Sequence, residues 1–385
     1  MTVQGGREDR AAPVTHEPRD PSEVPDTPAA QVAAAAEEAS RHVAAVTEDI
    51  VNRWAVAGLR RRGWVPRAQV NRGYGASVDV PAPHAPGWVR VFGRVLMGRA
   101  DTPYRNWVRS RGWRSFITAQ VAHAPVTVEI GGYSFSVHAD RTGLVDAVLQ
   151  ADLAPGRHTV RITPDGGETG EGEVLVVGGS TDAGLVSDID DTVMVTWLPR
   201  PFIAAWNTFV RQETARSEVA GMPELYAEFL AAHPGAFVVY LSTGAWNTAP
   251  FLRRFLSGHC YPDGPLLLTD WGPTNTGWFR SGRVHKISTL RRLRQELPHL
   301  RWLLVGDDGQ HDPEVYSAFS REAPEAVRAV LLRELTPAEQ VLSRGLAIPE
   351  SDEGAGPVPV LHGGDGYRLA ERLRAVGLLP ASTQD

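Results

Sequence analysis

The pattern of apolar and polar positions divides most of the chain into two folded parts. Between residues 74 and 179, short runs that alternate apolar with polar residues are separated by Gly-rich turns. Such runs are typical of strands with one buried face, and their spacing predicts an antiparallel β-sandwich domain. Between residues 180 and 350, continuous apolar runs alternate with helical stretches, which predicts an α/β domain with a parallel sheet.

The remaining segments are shorter and carry weaker patterns. Residues 1–28 are rich in Pro and charged residues without apolar periodicity, which is the composition of a disordered tail. Residues 29–73 contain an alanine-rich stretch with helical apolar spacing, which favours a helical lead-in. Residues 351–385 are expected to form a loose linker followed by a C-terminal helix from Gly366 to Leu379.

Composition and charge exclude several classes of protein. The net charge of -6 gives no excess of positive charge, so we expect no nucleic-acid partner. Cys260 is the single cysteine, which excludes an internal disulfide framework and a Cys-rich metal site. The amino terminus does not resemble a signal peptide, and the sequence contains no apolar run of bilayer-spanning length. A cytoplasmic protein without a transmembrane segment is therefore expected.

Lysine is almost absent from the chain. Of the 39 Lys and Arg residues, only Lys286 is a lysine. An ammonium is a compact point charge that a planar guanidinium cannot replace at a tight site, so an isolated lysine indicates a local chemical requirement. The alternative is an exposed lysine near the start of a helix.

A group of carboxylates follows the first apolar run of the α/β part. Asp188, Asp190 and Asp191 come directly after the run that begins at Gly184, and Thr192 follows them. Phosphoryl transfer needs such a pair, because one carboxylate attacks phosphorus while another protonates the leaving oxygen and then activates water. A divalent cation must offset the charge, and hard oxygen ligands favour Mg²⁺. Acidic turns and calcium loops contain similar strings, so this segment alone does not decide.

Three further segments supply the rest of such a site in order. Ser242 and Thr243 follow an apolar run and offer hydroxyl and backbone N–H groups to a phosphate. Lys286 follows at the head of a predicted helix, and Asp307 begins an acidic turn after another apolar run. Each segment alone could be an ordinary turn, an exposed lysine or a solvated loop, but their order along the chain favours one common site.

These segments resemble the four motifs of the haloacid-dehalogenase superfamily. More narrowly, SDIDDT, YLSTGAWN, HK and VGDDGQHDPEVY are similar to the family of the fungal actin-patch phosphatidate phosphatase and its bacterial relatives. The similarity extends to GMPELY and to WVRVFGRVLMGR, and therefore into the β domain. The resemblance implies a doubly wound catalytic domain of the haloacid-dehalogenase type that follows the β-sandwich domain along the chain.

The resemblance also implies a role for each matching residue. Asp188 is expected to be the nucleophile and Asp190 the general acid and base. The remaining expected roles are phosphate binding by Ser242, Thr243 and Lys286, charge neutralisation by Lys286, support by Thr192 and Asp312, and metal binding by Asp188, Asp190 through its main-chain carbonyl, Asp307 and Asp308. Thr243 and Asp308 depart from the family pattern; Asp308 adds a candidate metal ligand.

The resulting expectation is a Mg²⁺-dependent phosphomonoester hydrolase that forms an aspartyl phosphate, with phosphatidate or a related phospholipid as the implied substrate. Aromatic residues around the motifs could receive acyl chains or simply pack in the core: Trp197, Trp206, Phe209, Trp246 and Trp271. Two alternatives remain open, a phosphatase of a soluble metabolite and a catalytically inert binding or scaffold protein. Peripheral contact with a membrane is also left open.

Overall fold

The structure is a computed structural model. It describes residues 52–81, 86–100, 119–195, 218–269, 278–309, 311–336 and 357–381. The tail expected at residues 1–28 lies outside these ranges, as do Trp197, Trp206, Phe209 and Trp271. The described residues form an α/β protein with two sheets, one mixed and one entirely parallel.

The mixed sheet contains the first seven strands. They are β1 (Trp64–Ala76), β2 (Trp88–Arg99), β3 (Pro125–Ile130), β4 (Tyr133–His138), β5 (Leu144–Gln150), β6 (Gly156–Pro164) and β7 (Gly170–Val177). Their order is β4-β3-β6-β7-β1-β2-β5, and all neighbours are antiparallel except β1 and β7. All seven strands are hydrogen-bonded within one sheet, so the expected β-sandwich is not confirmed.

Strand β1 corrects the expected extent of the helical lead-in. Residues 52–60 are helical (α1), but residues 64–73 belong to β1. The strand was missed because the alternating positions Arg67, Gln69 and Asn71 are polar and nevertheless buried. Arg67 forms an ion pair with Glu168, which offsets the cost of burying its charge.

The parallel sheet contains the remaining six strands. They are β8 (Ala183–Ser187), β9 (Phe237–Ala245), β10 (Leu266–Thr269), β11 (Arg301–Asp307), β12 (Val327–Arg333) and β13 (Val360–Gly363). The helices of this part are α2 (Met222–Ala232), α3 (Ala249–Gly258), α4 (Trp278–Glu296), α5 (Asp312–Glu322) and α6 (Gly366–Ala375). Strands β8 to β12 are largely buried, as the continuous apolar runs predicted.

The strand order makes the carboxyl ends of β8 and β11 the expected position of a ligand. The order is β10-β9-β8-β11-β12-β13. Strands β9 and β10 are therefore added on one side of β8, and strands β11, β12 and β13 on its other side. In open α/β sheets, ligands bind at the carboxyl ends of the strands where the order reverses in this way. The predicted carboxylates follow β8 and β11.

The C-terminal segment contributes to the parallel sheet. The loose linker expected at residues 351–364 is wrong in its described part, because β13 pairs with β12 from Val330 to Arg333. Helix α6 follows, with the side chain of Asp365 accepting a hydrogen bond from the backbone N–H of Arg368 at 2.9 Å. The α/β unit therefore extends beyond residue 350.

Candidate active site

Asp188 follows the carboxyl end of β8, next to β11. Its backbone N–H donates to the carbonyl of Val305 in β11 at 2.8 Å, and its side chain is buried. The chain then turns through Asp191, whose φ of 59° is in the left-handed region and whose N–H donates to the carbonyl of Met194. This turn keeps Asp188 and Asp190 at one end of the strand, while Thr192 is fully buried beneath it.

Lys286 lies between two buried carboxylates. Its Nζ donates to Oδ1 of Asp188 at 2.6 Å and to Oδ1 of Asp312 at 2.5 Å. The side-chain exposures of Lys286, Asp188 and Asp312 are 7%, 4% and 0%, so water competes little for these bonds. The structure therefore brings the chain's one lysine to the expected nucleophile.

Asp307 completes a group of acidic side chains suited to a hard cation. Within the described ranges, one oxygen from each of Asp188, Asp307 and Asp312 lies within 4.8 Å of the others. Oδ1 of Asp307 accepts from the N–H of Gly309 at 2.8 Å, whereas its buried Oδ2 has no hydrogen-bond partner among the residues that the structure describes. Three carboxylates face a single ammonium here, and oxygen ligands of this kind fit Mg²⁺.

Burial and the charges within the group shift the pKa of each of its members. Burial, opposed by the charge of Lys286 and assisted by that of Asp312, raises the pKa of Asp188 to about 8. Burial and the charges of Asp312 and Asp188 also raise the pKa of Asp307 well above its ordinary value. Burial alone would lower the pKa of Lys286, but its carboxylate partners outweigh burial and raise it. The excess of negative charge explains why a cation would be favoured.

Asp190 faces Ser242, which lies in the last part of β9. Oγ of Ser242 donates to Oδ2 of Asp190 at 3.2 Å and accepts from the N–H of Gly244 at 3.0 Å. Thr243 was expected to bind phosphate, but its methyl carbon is only 3.0 Å from the position that a Cβ on Gly282 of α4 would occupy. The geometry thus connects Ser242 to Asp190, and it places Thr243 against the helix that carries Lys286.

Asp308 and Asp312 lie in different surroundings. Oδ1 of Asp308 accepts from the N–H of Leu335 at 2.9 Å, and Asp308 does not belong to the acidic group. Asp312, expected only to support the site, is inside the group at the first residue of α5. A Cβ on Gly306 would lie 2.5 Å from Oδ2 of Asp312, so the glycine makes room for this carboxylate.

Sequence reasoning missed two contacts that hold the Asp188 loop. Nη1 of Arg333, at the end of β12, donates to the carbonyl of Asp191 at 2.7 Å. Oγ of Ser187 donates to the carbonyl of Asp188 at 2.6 Å and shares a hydrogen bond with the hydroxyl of Tyr226. The isolation of a lysine was informative, whereas one arginine among many carried no comparable signal.

The aromatic approach for acyl chains finds no support in the described part of the chain. Trp246 is 5% exposed and packs in the core with Phe92, whose ring centroid is 5.3 Å away. The other four expected aromatics lie outside the described residues. No described helix has the length and apolar character needed to cross a membrane.

Comparison with known proteins agrees with the motif assignment. Residues 183–334 match the family described as "Phosphatidate phosphatase APP1, catalytic domain". The predicted family resemblance is confirmed. Phosphatidate phosphatase APP1 of Saccharomyces cerevisiae is 26% identical over 153 residues, which are 39% of this chain and 25% of the relative. The match to this curated relative thus spans about a quarter of the relative's length.

The solved structures are much more distant. A carbohydrate acetylesterase from Xanthomonas citri is 15% identical with a TM-score of 0.27, over 81% of this chain and 74% of that one. A β-glucuronidase from Parabacteroides merdae is 10% identical with a TM-score of 0.20, over 69% and 39%. Scores this low do not indicate a shared fold.

Proposed function

We propose that this protein is a Mg²⁺-dependent phosphomonoester hydrolase of the haloacid-dehalogenase type that forms an aspartyl phosphate, a mixed anhydride, at Asp188. The observation that carries the proposal is Lys286, held by Asp188 and Asp312 beside the unpaired Oδ2 of Asp307. Counted in chain order, the parallel strands lie in the order 3-2-1-4-5-6, which is typical of a doubly wound sheet. That order supports the assignment to this type.

The arrangement supports a two-step displacement. A carboxylate oxygen of Asp188 attacks phosphorus while the bond to the leaving oxygen breaks, and Asp190 gives that oxygen a proton. Asp190 then takes a proton from water as the water oxygen attacks phosphorus, which releases phosphate and restores Asp188. Ser242, already bonded to Asp190, would steady a phosphate oxygen. Lys286 would hold Asp188 in place and neutralise charge.

The residues present fit a bound magnesium ion. Asp188, Asp307 and the main-chain carbonyl of Asp190 would hold it, and this fit is supported by the buried Oδ2 of Asp307, which has no hydrogen-bond partner in the described part of the chain. When bound, the ion would offset the negative charge of the carboxylates and of the phosphate.

Phosphatidate or a related phospholipid is the proposed substrate class. Its support is the match of residues 183–334 to a phosphatidate phosphatase family and the name of the yeast relative. A soluble phosphorylated metabolite is the second candidate, because Trp246 is buried and no described aromatic near the site offers a surface for acyl chains. Peripheral contact with a membrane would accompany the first substrate class only.

The test begins with Mg²⁺-dependent release of phosphate from an aryl phosphate by the wild type and by Asp188→Asn. Loss of the nucleophile should lower kcat at least about a thousandfold. Asp182→Asn is the matched control, because this carboxylate is 76% exposed at the other end of β8. Equal rates in the wild type and Asp188→Asn would refute the enzyme proposal and favour an inert binding protein.

A substrate panel then separates the two substrate classes. Dispersed phosphatidate is compared with sugar and nucleotide monophosphates at equal phosphate concentration. A higher kcat/KM for dispersed phosphatidate supports the lipid assignment. Preference for a soluble monophosphate would leave the proposed mechanism intact and replace the proposed substrate.

A further inference from the structure

The mixed sheet contacts the helix that carries Lys286. Glu296, the last residue of α4, is 3% exposed and receives two hydrogen bonds from that sheet. The hydroxyl of Tyr74 in β1 donates to Oε2 at 2.5 Å, and Nη1 of Arg90 in β2 donates to Oε1 at 2.7 Å. One end of α4 is therefore held by the mixed sheet, outside the parallel sheet that contains the active site.

Arg90 is itself fixed within the mixed sheet. Its Nε and Nη2 donate to the two carboxylate oxygens of Asp146 in β5, at 2.6 and 2.9 Å. A bidentate arginine–carboxylate pair fixes orientation as well as position. Buried ionic contacts of this kind are weak evidence for stability, because desolvation opposes them, but their geometry is restrictive. The consequence here is that the fixed guanidinium of Arg90 also fixes the position of Glu296.

Helix α4 transmits this placement to the site. Lys286 and Glu296 are ten residues apart, about 15 Å along an α-helix. The Nζ of Lys286 must lie close to two carboxylates at once, at 2.6 and 2.5 Å. A shift or loosening of α4 would lengthen one of these bonds.

A second contact of the mixed sheet reaches the strand that contains Ser242. Phe92 in β2 packs against Trp246, with their ring centroids 5.3 Å apart, and Trp246 directly follows β9, the strand that contains Ser242. Tyr74 also packs against Phe237 at the start of the same strand. The mixed sheet thus touches both the Ser242 segment and the Lys286 helix.

We propose that the mixed sheet positions the active site, with Tyr74 and Arg90 holding Glu296 so that α4 presents Lys286 to Asp188 and Asp312. Tyr74, Arg90 and Glu296 are positioning residues, since they act through Lys286 and do not reach the reacting atoms. This inference rests on the proposed phosphatase function. It gives the N-terminal sheet a role in the catalytic step.

Tyr74→Phe and Glu296→Gln test the proposal with little change in shape. The first removes one hydroxyl, and the second removes the charge that Arg90 contacts. We expect kcat for an aryl phosphate to fall at least about tenfold with KM within about twofold, because the lost placement matters in the transition state. Glu325→Gln is the control, because Glu325 pairs with Arg294 of the same helix at 2.6 Å without involving the mixed sheet.

Amide hydrogen exchange, measured without substrate, provides a second readout. Peptides that contain Lys286 should exchange at least about fivefold faster in Tyr74→Phe and Glu296→Gln than in the wild type, whereas Glu325→Gln should match the wild type. Unchanged kcat in both variants would overturn the proposal, and so would an equal loss in the control. If the wild type releases no phosphate, the proposed function fails. In that case the exchange experiment still tests the contact, because unchanged amide exchange in both variants would show that Tyr74 and Glu296 do not hold α4 in place.

Discussion

Replacing Lys286 by arginine tests whether the site needs a compact cation. The substitution keeps the positive charge and introduces the residue that supplies every other non-histidine cation in the chain. Nζ of Lys286 donates to Asp188 at 2.6 Å and to Asp312 at 2.5 Å from a side chain that is 7% exposed. A longer, planar guanidinium cannot occupy that position without displacing a carboxylate.

The magnitude follows from this packing. Excess volume at a tightly packed site typically destabilises a protein by about 1–3 kcal/mol, so Lys286→Arg should still fold. A displacement of about 1 Å at reacting groups can lower the rate about a hundredfold. We therefore expect kcat at or below about one per cent of the wild-type value, with a modest fall in the free energy of unfolding.

The assay compares Mg²⁺-dependent phosphate release with urea denaturation of the same preparations. Arg283→Lys is the matched reverse exchange on α4, because Arg283 is 56% exposed and pairs with Glu314 at 3.2 Å. This control should keep its activity within about twofold and its stability within about 0.5 kcal/mol. If Lys286→Arg retained more than a third of wild-type kcat, the site would need only a positive charge, and the reasoning from the isolated lysine would be refuted.

Two further predictions concern the acidic group. Gly306→Ala should lower kcat at least about tenfold, because the new Cβ would lie 2.5 Å from Oδ2 of Asp312. Gly258→Ala is the control and should be neutral, because its Cβ would meet no described atom within 4 Å. Equal kcat values for the two variants would contradict this steric explanation. The second prediction is measured in EDTA and uses the raised pKa of Asp188, about 8. Between about pH 4 and 8 the folded state keeps a proton on this carboxyl that the unfolded chain has released. The free energy of unfolding should therefore fall as the pH rises through this range. Thermal denaturation across this range should show the decrease more weakly for Asp188→Asn, and identical slopes would contradict the assignment.

The parallel sheet was predictable because its strands are buried on both faces. Strands of that kind read as continuous apolar runs, and β9 and β11 were recognised in this way. The pairing of β1 with β7 was not predictable, because it joins strands about a hundred residues apart and has no local pattern. This one parallel pairing joins all seven strands in a single mixed sheet, although the alternating pattern of the strands is also typical of a sandwich.

The site could be predicted as a set of segments but not as a set of orientations. The order of Asp188, Ser242, Lys286 and Asp307 along the chain carried the information about which segments converge. Which acid of the turn after β11 points into the group depends on where α5 begins and on the space left by Gly306. Neither feature has a distinct signature in the sequence, so the sequence alone did not show that Asp312 lies within the acidic group.

Strand β13 has a consequence for how the catalytic unit can be excised. The family match ends at residue 334, yet β13 lies beyond it and covers the outer edge of β12. A fragment cut at that boundary would expose the backbone N–H and C=O groups of an apolar strand, a template for self-association. Strand β12 ends in Arg333, which donates a hydrogen bond to the carbonyl of Asp191. The exposed edge would therefore lie next to the turn that follows Asp188. We therefore expect a fragment that ends at residue 334 to self-associate more readily than one that keeps residues 357–381, because the longer fragment leaves the edge of β12 paired.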